Sequence, residues 1–571
     1  IKIPYVDGLK FNALFSYVRG ANHSKSFLTP YSLYLLGDDG SVANERIFGK
    51  TSLSEEMYIG NNMTSTLTLT YNKKIKGHSM SGLLVYEQFE SLGSTLGASR
   101  TNFPFTSIDQ LFAGGDDEEQ SNWGTPAQDA RKGLIGRFNY DYKGKYLAEF
   151  SFRYDGSLKF HPDRRWGFFP SVSLGWRLSE EAFMKKFSNL DNLKVRGSYG
   201  ILGNDAVGGW QWLTNYSFGN AYIFNQAPIK SIVSGGIPNV DLTWEKTATF
   251  NFGVDASIYK GLLAVEADVF YKRTYDILGS RNASMPQTFG ATLPSENYGI
   301  VKVKGFELQV KHDNKIGDFR YHVGGNVSWS RNKVIEKDYA AGAEPWNIPV
   351  GKTMGYRACF VALGLFQSDE EAAAWPRFKG TQPTAGDVKY ADLNNDGIMD
   401  ERDKKVVSPY SNTPEIMFGL NLSASWKGFD FSALFQGAAN RNVMLSGFAT
   451  QMFINGASNL PKYLYEDHWT PDNRDARYPK AWGPDHPSNN KSSTFWLING
   501  NYVRLKNVEL GYSISKDLLS RVGVDRLRIY VGGSNLFSID HMPGYDPEKQ
   551  DGGPNYYPQQ RVFNMGVNIT F

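Results

Sequence analysis

Segments of about ten residues that alternate strictly between apolar and polar side chains recur along the chain, and that period restricts it to β-strands. From Thr247 to Ile258, Ala248, Phe250, Phe252, Val254, Ala256 and Ile258 share one face; Thr247, Thr249, Asn251, Gly253, Asp255 and Ser257 share the other. In Met417 to Trp426, Phe418, Leu420, Leu422, Ala424 and Trp426 oppose Gly419, Asn421, Ser423 and Ser425. Lys145 to Tyr154 repeats the pattern with Tyr146, Ala148, Phe150, Phe152 and Tyr154. Charges fall on the polar face each time, as Lys194, Arg196, Glu266 and Asp268 do. Strands of soluble sandwiches average about five or six residues. Strands near ten match the length that crosses a bilayer at a tilt of about 45°. The expected fold is therefore all-β: a transmembrane antiparallel β-barrel.

Composition agrees where it bears on this. Aromatics make up 14% of residues and glycines number 58, a mixture that favours strands and tight turns. No run of about 18 apolar residues marks a transmembrane helix. The mean hydropathy of −0.42 fits a barrel, whose lipid-facing residues are diluted by polar ones from the opposite face. With 61 basic and 58 acidic side chains, nothing provides the basic footprint of a nucleic-acid binder. Cys359 is the only cysteine, so the chain holds no internal disulfide.

The connections alternate in length. Short ones lie at Asn72–Gly77, Asp141–Gly144, Tyr259–Gly261, Asp313–Gly317 and Lys427–Gly428, and moderate ones at Ser179–Asn192 and Lys516–Val524. Between them are long polar loops: Arg19–Asn61, Phe89–Lys132, Asp155–Phe169, Leu202–Lys246, Leu278–Tyr298, Asn332–Pro414, Ala438–Asn501 and Ser538–Gln560. An outer-membrane barrel has short periplasmic turns and long extracellular loops. Parity then assigns Gly355 to Gln367, which reads like a strand. As a single crossing it would put every upstream short turn outside, so it belongs within an extracellular loop. About sixteen crossings remain, the first running outward and the last inward.

The last segment places Phe563, Met565, Val567, Ile569 and Phe571 on one side, with Phe571 the final residue. A terminal Phe closing such a strand resembles the export and assembly signal of bacterial outer-membrane barrels. At the other end Ile1 opens without initiator Met or signal peptide. The expectation is that residues 1–571 are the C-terminal barrel portion of a longer precursor.

Several stretches resemble the SusC/RagA-type TonB-dependent outer-membrane transporters of Bacteroidetes, over essentially the whole chain. They are Gly133-Leu-Ile-Gly-Arg-Phe-Asn-Tyr-Asp-Tyr, Tyr146-Leu-Ala-Glu-Phe-Ser-Phe-Arg-Tyr-Asp-Gly-Ser, Trp166-Gly-Phe-Phe-Pro-Ser-Val-Ser-Leu-Gly-Trp-Arg-Leu and Leu193-Lys-Val-Arg-Gly-Ser-Tyr-Gly. Leu242-Thr-Trp-Glu-Lys and Asn297-Tyr-Gly-Ile-Val-Lys-Val-Lys-Gly-Phe-Glu-Leu join them. The resemblance implies a barrel of about 22 strands, of which about sixteen are present, with an N-terminal plug and TonB box absent from this chain. It further implies import of a glycan oligosaccharide or peptide, a SusD-like surface lipoprotein as lid, and TonB with its ExbB/ExbD motor as energy source.

One motif carries chemistry. Within the Asn332–Pro414 loop, Asp392, Asn394, Asp396, Asp400 and Asp403 fall at positions 1, 3, 5, 9 and 12 of residues 392–403, with Gly397 at position 6 and the Ile398 carbonyl at position 7. That is the spacing of an EF-hand-like calcium loop. The competing reading is an Asx-rich surface turn without an ion. Loop tryptophans Trp123, Trp210, Trp212 and Trp482 are candidates for stacking on a sugar or peptide, although such residues more often pack loops together. The eight histidines have no metal spacing, and there is no GxSxG, phosphate-binding glycine loop or HExxH.

Three functions compete: an active importer, a passive pore or adhesin, and a barrel enzyme. The importer is favoured by the resemblance; no nucleophile–base constellation supports the enzyme.

Overall fold

The computed structural model describes every residue except 1, 2, 4, 5, 38, 116–118, 225, 226, 292, 454–459, 483–485, 487, 516–518, 520–522, 550, 553–556 and 558. The Lys516–Val524 connection lies largely outside the described residues. The first eight strands of the main sheet are β1 (Leu9–Leu28), β2 (Ser52–Ile75), β3 (His78–Thr101), β4 (Gln120–Tyr142), β5 (Tyr146–Ser157), β6 (Trp166–Arg177), β7 (Leu190–Asn204) and β8 (Glu245–Ile258). The others are β9 (Leu263–Gly279), β10 (Glu296–Ile316), β11 (Phe319–Glu336), β12 (Ile416–Trp426), β13 (Phe429–Ala439), β14 (Tyr502–Ser513), β15 (Arg526–Ile539) and β16 (Val562–Thr570). These sixteen strands hydrogen-bond in chain order within one sheet.

The chain divides into two compact units. The first comprises Ile1–Lys143, Ala148–Val172 and Leu202–Trp244; the second comprises Gly144–Leu147, Ser173–Ile201 and Glu245–Phe571.

In the first unit the ladders are long. β2 and β3 pair without a break from Ser52↔Thr101 to Ile75↔His78, and β1 pairs β2 from Leu9↔Tyr71 to Leu28↔Ser52. Arg19 and Asn61, expected to bound a loop, are direct partners within that ladder. Phe89 and Arg131, expected in another loop, are paired likewise. Strands continue here because each backbone N–H and C=O still finds a partner on its neighbour. The side chains, such as Asn61, Asn62, Ser91 and Thr95, are polar in runs, so the period-two signal fades while the hydrogen bonding does not. The connection from 29 to 51 holds its own hairpin, Tyr31–Leu36 with Val42–Phe48.

In the second unit two short turns fall where expected, and the one expected at Asp313–Gly317 narrows to Gly317–Asp318 because Asp313 to Ile316 stay in the ladder. Tyr259 and Lys260, at φ of +53° and +58°, turn β8 into β9, and Lys427 (+45°) with Gly428 (+91°) turns β12 into β13. The apolar face carries an exposed band: Phe250, Phe252, Val269, Phe306, Leu420, Phe431 and Leu510 are all exposed. The register lines them up across strands, with Phe252 opposite Val269 and Val269 opposite Phe306. The ambiguous run within 355–367 forms two short strands outside the main sheet. Arg357–Phe360 pairs with Lys404–Ser408, and Ala362–Leu365 with Val388–Tyr390.

Candidate transport surface

Ion pairs on the polar face of the second unit start from glycines that make room for them. Arg196 on β7 donates through both terminal nitrogens to the Asp268 carboxylate on β9, each at 2.6 Å, and its Nε donates to Asp255 on β8 at 3.1 Å. The guanidinium lies over Gly253, where a Cβ would come within 2.6 Å of its Cζ. Arg528 repeats the arrangement over Gly511, donating through Nε to Asp430 at 2.9 Å and through a terminal nitrogen to Glu509 at 2.6 Å. In each cluster three neighbouring strands thus hold a cation and its anions with their geometry set. Beside the first pair, a recess of about 560 Å³ is lined by Glu266, Asp268, Glu307, Gln309, Asn326 and Gln436.

At the other end of these strands, described residues of the 337–415, 440–501 and 540–552 connections interlock. Asp387 is the hub. Its buried carboxylate accepts from the Thr384 amide at 2.8 Å and from Asn489 Nδ2 at 2.9 Å, with Lys480 Nζ and His486 Nε2 each at 3.4 Å. Burial pushes this carboxyl up more than any single contact lowers it. The hydrogen bonds from His486, Thr384 and Asn489 together with the His486 charge outweigh burial and hold it below the ordinary range. The 360–362 segment is tied in by backbone bonds Phe360 N to Ser492 O (3.2 Å) and Thr494 N to Phe360 O (2.9 Å). Val443, Met452, Leu464, Tyr478 and Trp496 form an apolar core beneath. Arg504, at the start of β14, donates to Asp546 and Glu548 at 2.8 Å each and anchors the 540–549 segment.

The four tryptophans separate. Trp123 is on β4 rather than in a loop. Its ring covers Gly97, and its Nε1 donates to Glu56 at 3.1 Å. Trp482 belongs to the buried core just described and is 6% exposed, so its face is not available for stacking. Trp210 and Trp212 stay together with centroids 6.1 Å apart, and His161 meets Trp212 edge-on at 5.3 Å. Trp210 has φ +65°, a conformation that costs a bulky residue of order 1–3 kcal/mol and is held by its surroundings. Trp212 Nε1 is buried and has no protein acceptor.

The 392–403 residues are also brought together, though not around an open centre. Asp392 accepts from the Asn395 and Gly397 amides at 2.8 and 2.9 Å, and Asn394 accepts from the Asp396 amide at 3.1 Å. Asp396 accepts from the Ile398 amide at 3.0 Å, and Gly397 takes φ +80°. The short Ile398–Met399 strand pairs with Arg377–Phe378. Asp403 is fully buried and accepts from the Leu393 and Asp400 amides. Arg402 brings a cation between Asp396 (2.6 Å) and Asp400 (2.8 Å), holding the Asp400 carboxyl below its usual range. Among the described residues no three His, Cys, Asp or Glu side chains converge as a metal cluster.

The polar-face positions of Arg196, Asp255 and Asp268 are legible in the sequence, but their pairing is not. Asp387, Arg504 and Asp546 are not legible there, since nothing local in sequence marks a charge whose partner lies 42 or 102 residues away.

The family described as TonB dependent receptor-like, beta-barrel matches residues 5–536. TonB-dependent receptor P3 of Formosa agariphila is 25% identical, over 99% of this chain and 57% of its own length. TonB-dependent receptor SusC of Bacteroides thetaiotaomicron is 26% identical, over 76% of this chain and 43% of its own length. The chain thus spans about half the length of the curated relatives it matches. Among solved structures, that of the RagAB peptide transporter superposes with a TM-score of 0.77 at 22% identity, covering 100% of this chain and 61% of that one.

Proposed function

The chain belongs to the TonB-dependent receptor-like β-barrel family, a non-enzymatic family of the outer membrane, and on that premise we propose that the protein it forms part of imports a nutrient across that membrane by TonB-dependent uptake. The nutrient is a glycan oligosaccharide or a peptide; a SusD-like surface lipoprotein serves as lid, and TonB with ExbB and ExbD supplies the energy. The observation that carries this reading is the family match over 5–536 to a sheet with one exposed apolar face and one ion-paired polar face. Arg196 with Asp255 and Asp268, and Arg528 with Asp430 and Glu509, present compensated charge to a passing solute, which suits an importer whose selectivity resides in its loops. The interlocked described residues of the 337–415, 440–501 and 540–552 connections support lid docking, since a preformed surface orders little on binding.

Within this reading Trp210 and Trp212 are the stacking residues for substrate. The 392–403 loop is a structural calcium site in which the ion draws Asp396 and Asp400 away from Arg402; its spacing and the turn at Gly397 support this.

The test is purification of the full-length protein from its native membrane under mild detergent, with uptake measured in cells with and without TonB. Co-purification of a surface lipoprotein and loss of uptake without TonB are expected. TonB-independent flux with large, steady conductance in planar bilayers would establish a passive pore instead.

A further inference from the structure

On the apolar face of β9, β10 and β11, five cations gather at the end of the strands next to the long loops. Arg273 lies directly opposite Lys302, and Lys302 directly opposite Lys333, so three like charges form one row across adjacent strands. The next row holds Tyr271, Lys304 and Arg331, and the one after it Val269, Phe306 and Trp329. Adjacent strands are about 4.8 Å apart, so the first row sets three cations within about 10 Å. Arg331 is neutralised by Glu415, which it meets with two hydrogen bonds of 2.7 Å. Arg273, Lys304 and Lys333 are exposed and Lys302 half-buried, and among the described residues none of the four has an acidic partner. Like charges placed directly opposite destabilise a sheet. Among the described residues no acidic side chain balances this row, and an anion from outside the chain would relieve it.

Two further features describe that anion. A groove of about 580 Å³ is lined by Lys302, Lys304, Lys333 and Lys352, with Tyr271 and Tyr356 as aromatic walls. Lys352 is held at its rim, donating to the Pro345 and Ile348 carbonyls at 2.5 and 2.6 Å. Below the cations the same face continues as the exposed apolar band, with Phe306 against Trp329 at a centroid distance of 6.0 Å. Four residues separate Lys302 from Phe306, about 14 Å of strand. An amphiphile with its acyl chains on the apolar band would bring its headgroup to the lysines.

We propose that this groove binds the phosphate-bearing headgroup of a membrane lipid, the acyl chains lying against Val269 and Phe306. The continuity of the cationic rows with the apolar band favours a lipid over a free anion. The proposal rests on the membrane reading above.

The test uses the full-length mature protein in phosphatidylcholine nanodiscs containing lipid A, either with its phosphates or enzymatically dephosphorylated, and counts retained lipid by native mass spectrometry. A variant carrying K302Q, K304Q and K333Q is compared with one carrying K260Q, K315Q and K427Q at the short turns, both checked for native electrophoretic mobility. Near a membrane each lysine contributes roughly fivefold in affinity, so the first variant should lose about a hundredfold and the second little. Phosphorylated lipid should be retained over the dephosphorylated form, and inorganic pyrophosphate should displace it poorly. Unchanged retention in the first variant, equal loss in the second, or equal retention of the dephosphorylated lipid would overturn the proposal. Efficient displacement by pyrophosphate would replace the lipid with a free anion. Failure of the protein to enter nanodiscs would instead overturn the membrane reading itself.

Discussion

The Arg196 guanidinium reaches Asp268 across an intervening strand, passing over Gly253 with two 2.6 Å hydrogen bonds. The glycine is thus part of the ion pair, because any side chain at 253 would occupy the space of the guanidinium.

Replacing that glycine tests the arrangement. Gly253→Val should lower stability by about 1–3 kcal/mol, the usual range for overpacking a filled site. Asp268→Asn, which keeps the space but removes the charge, should cost about as much, since hydrogen bonds to charged groups contribute about 1.5–3 kcal/mol. The midpoint of heat-induced mobility change in gel electrophoresis measures both.

The Asp387 hub makes a pH prediction. Its carboxyl sits below the ordinary value in the folded protein. A depressed carboxylate contributes stability that is complete above its unfolded value of about 3.9 and is lost as pH falls through the folded value. Protection factors in 384–391 and 488–494, corrected for the pH dependence of intrinsic amide exchange, should therefore be unchanged from pH 7 to 5 and fall only below about pH 4. Asp387→Ala should open the same segments at pH 7, at a cost of about 3–5 kcal/mol for leaving buried partners unpaired.

Arg504 with Asp546 makes a parallel case. Both side chains are nearly buried, and Arg504→Met removes the guanidinium that Asp546 and Glu548 share, leaving Glu548 to Lys506 and Asp546 to the Glu548 amide. Protease cleavage within 540–549 should rise by at least tenfold while the sheet stays intact, as read by mass spectrometry of the fragments.

Calcium should protect the 392–403 loop from protease at about 10⁻⁴–10⁻³ M, the range of extracellular sites. Because Arg402 competes for Asp396 and Asp400, Arg402→Gln should tighten calcium binding several-fold by isothermal titration. No protection by calcium in either form would leave the loop as an Asx-rich turn.

Trp210 and Trp212 should matter for uptake and not for folding. Trp212→Ala is expected to reduce transport at limiting substrate by about tenfold, from a stacking contribution of about 1.5 kcal/mol. Trp123→Ala, which uncovers Gly97 within a ladder, should affect stability and leave transport of the folded fraction unchanged.

The fold was legible in this sequence wherever the two faces of a strand meet different surroundings. Alternation is a local property of the extended backbone, so Phe250, Phe252 and Phe418 declare their face without reference to any neighbour. The turns at 259–261 and 427–428 were legible for the same reason, being set by residues that accept positive φ. Parity extended this to Arg357–Phe360 and Ala362–Leu365, which have strand character but pair outside the main sheet.

What only the tertiary structure decided was partnership. Ladder hydrogen bonds come from the backbone of the adjoining strand, so Arg19 and Asn61 pair although neither belongs to an apolar pattern. Whether a polar-face charge is free or bound depends on a strand tens of residues away, as with Arg196 and Asp268. Whether a loop tryptophan presents its face or fills a core depends on the whole assembly, which buries Trp482 and keeps Trp210 against Trp212. Alternation is encoded residue by residue; contact across strands and loops is set by the sum of many weak local preferences and long-range burial, and no single segment contains it.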